Sequence, residues 1–377
     1  MDLKKEIKLS SFVRKPARAN AGAKALRGEL VGLKIGATQL AASRVANNGS
    51  ARLLQLARGP LPPGIVVSGE VRDIPALTAA LDEFFRTNKL PRKGVRLGIA
   101  TNRIGVRSFE LGGVENEQQL ENAIRFRAHE ALSIPVADSV LDYHVVSETV
   151  DEDGTTRRRV VLAAAYRDSI DRYVAACKEV GIEVVAVDLE AFALLRAVAP
   201  AAVADEPAAV VAVTIGHDRT TLAISDGDVC DFTRVLEWGG ASLAAAIERE
   251  LRVDAAEANE LVHALSLDTA EAVDAEGNER KSARVREAVR HELQSLARDL
   301  VASLQYYQAQ PESLAIAEIL VAGGTSRLHG LPEELGRLTR VRVRRADPLA
   351  RVEVADSVEP RDDLPSLAVA IGLGIEV

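Results

Sequence analysis

Three glycine turns hold the residues of this chain best suited to chemistry. They are Val31-Gly32-Leu33-Lys34-Ile35-Gly36-Ala37-Thr38, Val213-Thr214-Ile215-Gly216-His217-Asp218-Arg219-Thr220-Thr221 and Val321-Ala322-Gly323-Gly324-Thr325-Ser326-Arg327. The first two each leave a short apolar run and enter another, the pattern of a β-hairpin turn. Glycine lets the main chain approach a phosphate, and successive N–H groups there form an anion cradle. Lys34, Gly36, Ala37, Thr38, Gly216, His217, Asp218, Gly323, Gly324, Thr325 and Arg327 are therefore candidate nucleotide-binding residues. Magnesium on such a phosphate needs hard oxygen ligands, normally carboxylates or waters held by them. Two residues before the glycines of the first two turns stand Lys34 and Thr214 instead. Asp218 is the nearest carboxylate and the one candidate metal ligand. Lys34 has three readings: contact with phosphate as a point charge, pairing with an acidic neighbour such as Asp218 that fills an empty pocket, or plain exposure. Gly323 and Gly324 either let the backbone pass under an adenine or simply make a turn.

The rest of the chain must position these turns. At 377 residues it is long enough for two domains or a duplicated fold. An apolar share of 47% with 27% charged residues is that of a folded globular protein. The longest apolar runs, such as Val160 to Ala165, are strand-sized and far short of the ~20 residues that cross a bilayer. No secretory signal is evident. Cys177 and Cys230 form no disulfide framework or metal spacing, which fits a reducing cytoplasm, and the six histidines are scattered. The net charge of −8 hides an asymmetry: residues 1–27 carry eight Lys/Arg against two acids, so the tail is +6 and the remainder −14. An acidic body argues against nucleic acid as a partner. The basic tail, residues 1–28, reads as disordered; its Glu6-Ile7-Lys8-Leu9-Ser10 alternates apolar and polar residues in a way that suits strand addition.

Periodicity places a hairpin over Leu30–Ile35 and Leu40–Val45, a third strand over Ala51–Ala57, and a helix over Pro75–Leu90. Strands follow at Val95–Ala100 and Gly105–Leu111, then a helix over Glu117–Leu132 and a hairpin of Leu141–Thr149 with Arg158–Ala165. Helix Arg167–Val180, strand Val184–Val187 and helix Leu189–Ala197 close the first half. The pattern then restarts, with strands Val210–Ile215, Thr220–Ile224 and Asp228–Arg234. Helices are expected at Ser242–Leu251, Ala255–Leu265, Arg284–Gln308, Leu331–Thr339 and Ser366–Leu373, with a strand at Ile319–Ala322 and a loop over Leu267–Ser282. Two halves that each open on a three-strand meander and then alternate helix and strand indicate a duplicated α/β fold with its ligand in the cleft between them.

With these residues in view, the chain from about Leu30 to Val377 resembles the type IV pilus assembly protein PilM family, FtsA-like members of the actin-like ATPase superfamily. The likeness rests on Leu61-Pro62-Pro63-Gly64 leading to Gly69-Glu70-Val71, and on Ala123-Ile124-Arg125 through Ile134-Pro135 and Leu141-Asp142-Tyr143. It continues through Val187-Asp188-Leu189-Glu190-Ala191-Phe192-Ala193-Leu194-Leu195, Gly239-Gly240, Leu320-Val321-Ala322-Gly323-Gly324 and Pro365-Ser366-Leu367-Ala368-Val369-Ala370-Ile371-Gly372-Leu373, in that order. The fold implied is α/β, two RNase-H-like halves with a small inserted α+β domain. Its boundaries would be a tail 1–28, first half 29–104, inserted domain 105–187, connection 188–209, second half 210–345 and a return to the first half over 346–377. The resemblance adds Gly240 to the nucleotide-binding candidates and ATP or ADP as the cofactor. It makes Glu190 the catalytic candidate, in the stretch where the superfamily keeps its water-positioning group; the alternative role for Glu190 is charge complementing a helix N-terminus.

The resemblance also implies a cytoplasmic protein at the inner face of the cell membrane, peripheral through the N-terminal tail of a single-span PilN-like partner. Pilus motor ATPases and self-association are its further implied contacts. The departures cluster at the nucleotide. Lys34 and Thr214 replace the two loop aspartates, Ala37 a small hydroxyl residue, Ala41 a lysine, and Asn259 and Val262 the Glu and Lys that flank the adenosine. These changes argue against Mg2+ and against turnover. The expectation is a scaffold with a degenerate nucleotide pocket, binding its partner beside the inserted domain. The alternative is an active, nucleotide-switched ATPase that polymerises. A sugar or acid kinase is disfavoured, because phosphoryl transfer needs a positioned metal and a base.

Overall fold

The computed structural model describes residues 28–376 apart from 115, 132–134, 152–153, 200–207, 227–228, 269–278 and 311–312. The expectations for the tail, Glu6–Ser10 included, lie outside the described residues. In the first half, β1 (Glu29–Ile35), β2 (Gln39–Asn48) and β3 (Ser50–Pro60) form an antiparallel meander. A two-residue-strand hairpin, β4 (Val66–Val67) and β5 (Glu70–Val71), leads into α1 (Ile74–Thr87). The α1 N-terminus is set by Asp73, whose carboxylate accepts the Ala76 N–H at 2.9 Å, with Pro75 in the first turn. Leu77, Leu81, Phe84 and Phe85 are its buried stripe. After α1 the chain returns as β6 (Val95–Ile99), parallel to β1.

An excursion follows: β7 (Ile104–Gly112), α2 (Glu117–Ala131), β8 (Ser139–Val150) and β9 (Thr156–Tyr166), in a separate three-stranded sheet ordered β7-β9-β8. The run Val160–Ala165 is apolar throughout because β9 is central and covered on both faces. Val160, Leu162 and Ala164 pack with Leu120, Ile124 and Ala128 of α2, whereas Val161, Ala163 and Ala165 join the core of the first half. Helix α3 (Arg167–Glu179), β10 (Val184–Leu189) and α4 (Glu190–Val198) complete this region, and β10 lies parallel to β6.

The second half repeats the plan. An antiparallel meander of β11 (Ala209–Ile215), β12 (Thr220–Ser225) and β13 (Cys230–Leu236) is followed by α5 (Gly240–Leu251), α6 (Ala255–Ala264) and α7 (Glu279–Gln308). Next come β14 (Ile316–Ala322), α8 (Leu331–Thr339) and β15 (Val343–Arg345), with β14 parallel to β11. The short strand β16 (Glu353–Val354) returns to pair with β3, and α9 (Ala368–Gly374) ends the fold. The sheets are ordered β10-β6-β1-β2-β3-β16 and β13-β12-β11-β14-β15. Read from the meander outward, the second order matches the first without β16, so the two halves share one topology and the expected duplicated α/β fold is what is seen.

Some elements differ from expectation. Helix α7 begins at Glu279, not Arg284, and the final helix begins at Ala368 after a 3₁₀ turn over Leu364–Leu367. The α7 stripe of Val289, Leu293, Leu296, Leu300, Leu304 and Tyr307 is buried against the second sheet. Helix α4 is buried along its whole length. Its Arg196 binds Asp188 and donates to the Gly372 carbonyl at 3.0 Å, tying α4 to α9. A side chain at Gly372 would meet the Ala193 carbonyl at 1.7 Å, so only glycine permits that crossing.

Candidate functional site

The three glycine turns meet in one cleft. Lys34, Gly36, Ala37, Thr38, Glu190, Gly216, His217, Asp218, Gly240, Gly323, Gly324, Thr325 and Arg327 all line a single cavity of about 300 Å³, with Thr214, Asn259 and Val262. That volume is at the small end of ligand sites. Each turn is placed by its hairpin: Gly36 donates to the Gln39 carbonyl and Gly216 to the Arg219 carbonyl, both at 2.9 Å. The second turn is also tied to its surroundings. Gly240 N–H donates to Gly216 O at 2.9 Å, Ala241 N–H to His217 O at 2.8 Å, and Thr325 Oγ1 to Gly216 O at 2.9 Å. The first amides of α5 are thereby engaged inside the protein. Gly323 has φ +92°, and a side chain there would meet Ile215 O at 2.3 Å, so this glycine is required by the approach of two strands.

Lys34 is neither exposed nor paired with Asp218. It is 8% exposed, and its Nζ lies 3.3 Å from Oε2 of Glu190. Glu190 does open α4, as its dipole role requires, but it is 1% exposed and holds two cations, because Arg219 Nη2 sits 3.4 Å from its other oxygen. Arg219 in turn places Nη1 3.3 Å from Asp218 Oδ1 and donates to the Ile35 carbonyl at 3.3 Å. The remaining Asp218 oxygen accepts the Ser68 backbone N–H at 2.7 Å. Burial pulls the Arg219 pKa down, and the facing carboxylates, Glu190 foremost, outweigh this and leave it raised. The result is an alternating row, Lys34–Glu190–Arg219–Asp218, with two positive and two negative groups. All four carboxylate oxygens have protein donors.

This arrangement leaves the two carboxylates engaged with protein groups rather than presented to a metal. Among the described residues no group of three or more His, Cys, Asp or Glu is placed to hold one. Features suited to an anion remain: Ala37, Thr38 and His217 face the cavity at the two turns, and Arg327 is an exposed cation on the rim. Arg58 also lines the rim and binds Gln39 Oε1 at 2.8 Å and Asp363 at 3.2 Å. A hydrogen bond from Arg361, together with Arg58, holds the Asp363 carboxyl down at about 2. The wall formed by α6 presents Asn259, Val262 and His263.

Two residues of the site escape sequence reasoning. Arg219 stands within the second turn, but an arginine in a turn reads as solvated; its burial is decided by Ile35 and Glu190 from the other half. Ser68 is the tip of a hairpin whose two-residue strands are too short to show alternation.

Comparison with known proteins adds the family. Residues 32–377 match the family model for type IV pilus assembly protein PilM. The chain is similar to a solved PilM-PilN type IV pilus biogenesis complex, with 25% identity and a TM-score of 0.73 over 92% of this chain and 98% of that one. It also shares its fold with ethanolamine utilization protein EutJ of Carboxydothermus hydrogenoformans, at 14% identity and a TM-score of 0.51 over 98% and 93% of the two chains. MreB5 of Spiroplasma citri bound to AMPPNP is similar at 14% identity and a TM-score of 0.50, over 92% and 94%.

Proposed function

The chain belongs to the PilM family of type IV pilus assembly proteins, and we propose that it is a scaffold that grips the cytoplasmic N-terminal tail of a single-span, PilN-like partner. One observation carries this reading: the likeness to the PilM-PilN complex spans 92% of this chain and 98% of that one. In this reading residues 29–104, 188–209 and 346–377 make the first half, 105–187 the inserted domain and 210–345 the second half. The partner's tail lies beside the inserted domain, held by backbone hydrogen bonds and apolar pockets. The partner brings the scaffold to the inner face of the membrane; no helix among the described residues is long and apolar enough to cross one.

The cleft of this scaffold is degenerate. ATP or ADP remains the ligand class of its three turns, but the groups that would hold magnesium and position water are engaged with protein cations. Glu190 faces Lys34 and Arg219 at 3.3 and 3.4 Å, so both its oxygens are already taken up by protein cations and it is a poor metal anchor. Titration with a synthetic tail from a neighbouring single-span protein is expected to give saturable binding tighter than ~100 μM, a range suited to a short peptide ordered on binding. Steady-state assays are expected to give no magnesium-dependent ATP hydrolysis above about 1 per minute, well below the usual enzyme range. Turnover above that rate with no tail binding would replace this reading with the polymerising ATPase.

A further inference from the structure

The ion row in the cleft also joins the two halves. Starting from Lys34 on β1 and Glu190 at the head of α4, it crosses to the second half at Arg219, which reaches both Glu190 and the Ile35 carbonyl. From Asp218 it crosses back at 2.7 Å to the backbone N–H of Ser68 in the first half. The receiving hairpin is built for that contact. Ser68 has φ +50° and Gly69 φ +76°, the two left-handed residues of a type I′ turn, which aims the Ser68 N–H outward. The other three non-glycine residues with positive φ among the described residues, Lys89, Arg252 and Arg340, all lie just past helix ends, whereas Ser68 stands in a hairpin turn. The hairpin is braced from behind by α3. Tyr173 Oη donates to the Gly69 carbonyl at 3.1 Å, and Ser169 Oγ donates to the Glu70 carboxylate at 2.9 Å.

We propose that this row is a built-in lock, which holds the two halves closed without ligand by standing where a metal-bound phosphate would bridge the two turns. It rests on the reading of the cleft as degenerate and says how that cleft is regulated: closure here is constitutive. The second half supplies both bridging side chains, one of each sign. Arg219 donates to Glu190 and Ile35 of the first half, and Asp218 accepts from Ser68 of the first half. The charges balance within the row, so closing the cleft buries no net charge. Through Tyr173 and Ser169 the lock is continuous with α3, which follows directly on β9 of the inserted sheet. The inserted domain is thereby held in a fixed pose for its partner whatever the nucleotide supply.

The test is a distance between the halves. Glu83 on α1 and Glu260 on α6 are exposed, whereas both native cysteines are buried, so Glu83→Cys with Glu260→Cys takes spin labels at two sites only. Pulsed dipolar spectroscopy on the full chain is expected to give one narrow distance, unchanged by millimolar ATP with magnesium or with EDTA. Adding Arg219→Gln broadens it towards longer values. Asp218→Asn, which keeps the shape and removes the charge, serves where Arg219→Gln does not fold, and raises amide exchange at Ser68 at least tenfold. A distance that shifts when magnesium and ATP are added to the otherwise unaltered protein overturns the lock, as does a distance and a Ser68 exchange rate untouched by both variants. Failure of the partner tail to bind while the distance stays fixed counts against the scaffold reading alone.

Discussion

The two halves share a strand order and differ in what they place at one equivalent strand position. In the first, the residue two before the turn glycine is Lys34; in the second it is Thr214. Both positions are buried, at 8% and 3% exposure. A buried threonine needs only a hydrogen bond, whereas a buried ammonium must be paired or neutralised. The first half therefore commits Glu190 to Lys34. The second half has no charge at that position, and the next charged residues of its turn, Asp218 and Arg219, are directed across the cleft instead. One topology thus supplies a self-contained ion pair on one side and two bridging groups on the other. The core fixes where the turns lie, and a few polar residues decide whether they hold a ligand or each other.

The sharpest way to break that asymmetry is to remove its hub. Glu190→Leu leaves Lys34 and Arg219 as buried cations a few ångströms apart with one carboxylate fewer. Breaking a buried pair by deleting one partner costs about 3–5 kcal/mol, and urea unfolding should show a loss in that range with an unchanged slope. A loss below about 1 kcal/mol would mean that water already reaches these groups. Next in size is the change that makes the two turns carry carboxylates alike. Lys34→Asp with Thr214→Asp leaves Arg219 the one cation of the row, facing four carboxylates, and offers oxygen ligands to a metal. The variant is expected to be less stable alone and to gain a few degrees of thermal midpoint with magnesium and ATP together, a gain the natural chain lacks. Equal gains in both would show that the natural cleft already takes the metal complex.

Much of this fold is legible in the sequence, and the reasons are local. The meanders, the glycine turns and the α7 stripe show because strand alternation, helix period and the conformational freedom of glycine act over a few residues. What is hidden is settled at long range. β15 and β16 have three and two residues, and they become strands because β14 and β3 offer them an edge. The first residues of α7 include Lys281 and Ser282, which read as loop, yet Ser282 is buried in the fold. The glycines mark the turns of the cleft, but the partner of Lys34 is Glu190 and not Asp218, the nearest carboxylate in the turns. Glu190 reaches it only because β10 runs parallel to β6 beside β1 and delivers the head of α4 to the cleft floor. Arg219 is the same case from the other side. The chemistry of the site is a product of the duplicated topology, and no spacing along the chain encodes it.

The smallest expected effect concerns two arginine–carboxylate clusters outside the row, one in each half. In the second half Arg344 binds both oxygens of Glu318 at 2.7 Å, and that hydrogen bonding lowers the Glu318 pKa. In the first half Arg361 and Arg58 together hold Asp363 at about 2, against 3.8 for the free side chain. A carboxylate whose pKa is lower in the folded state stabilises the fold at pH above its unfolded value, and the contribution is lost as the pH falls through the folded value. The Asp363 contribution should therefore be complete above about pH 4 and fade between there and about pH 2. Melting curves compared across that window should fall faster for the natural chain than for Asp363→Asn, and the two should run parallel from pH 5 to 7. Arg58→Gln severs only the contact from β3 and should remove a minority of the difference, since Arg361 supplies the larger share. Should Arg58→Gln remove all of it, Asp363 would be a pin between β3 and the C-terminal return.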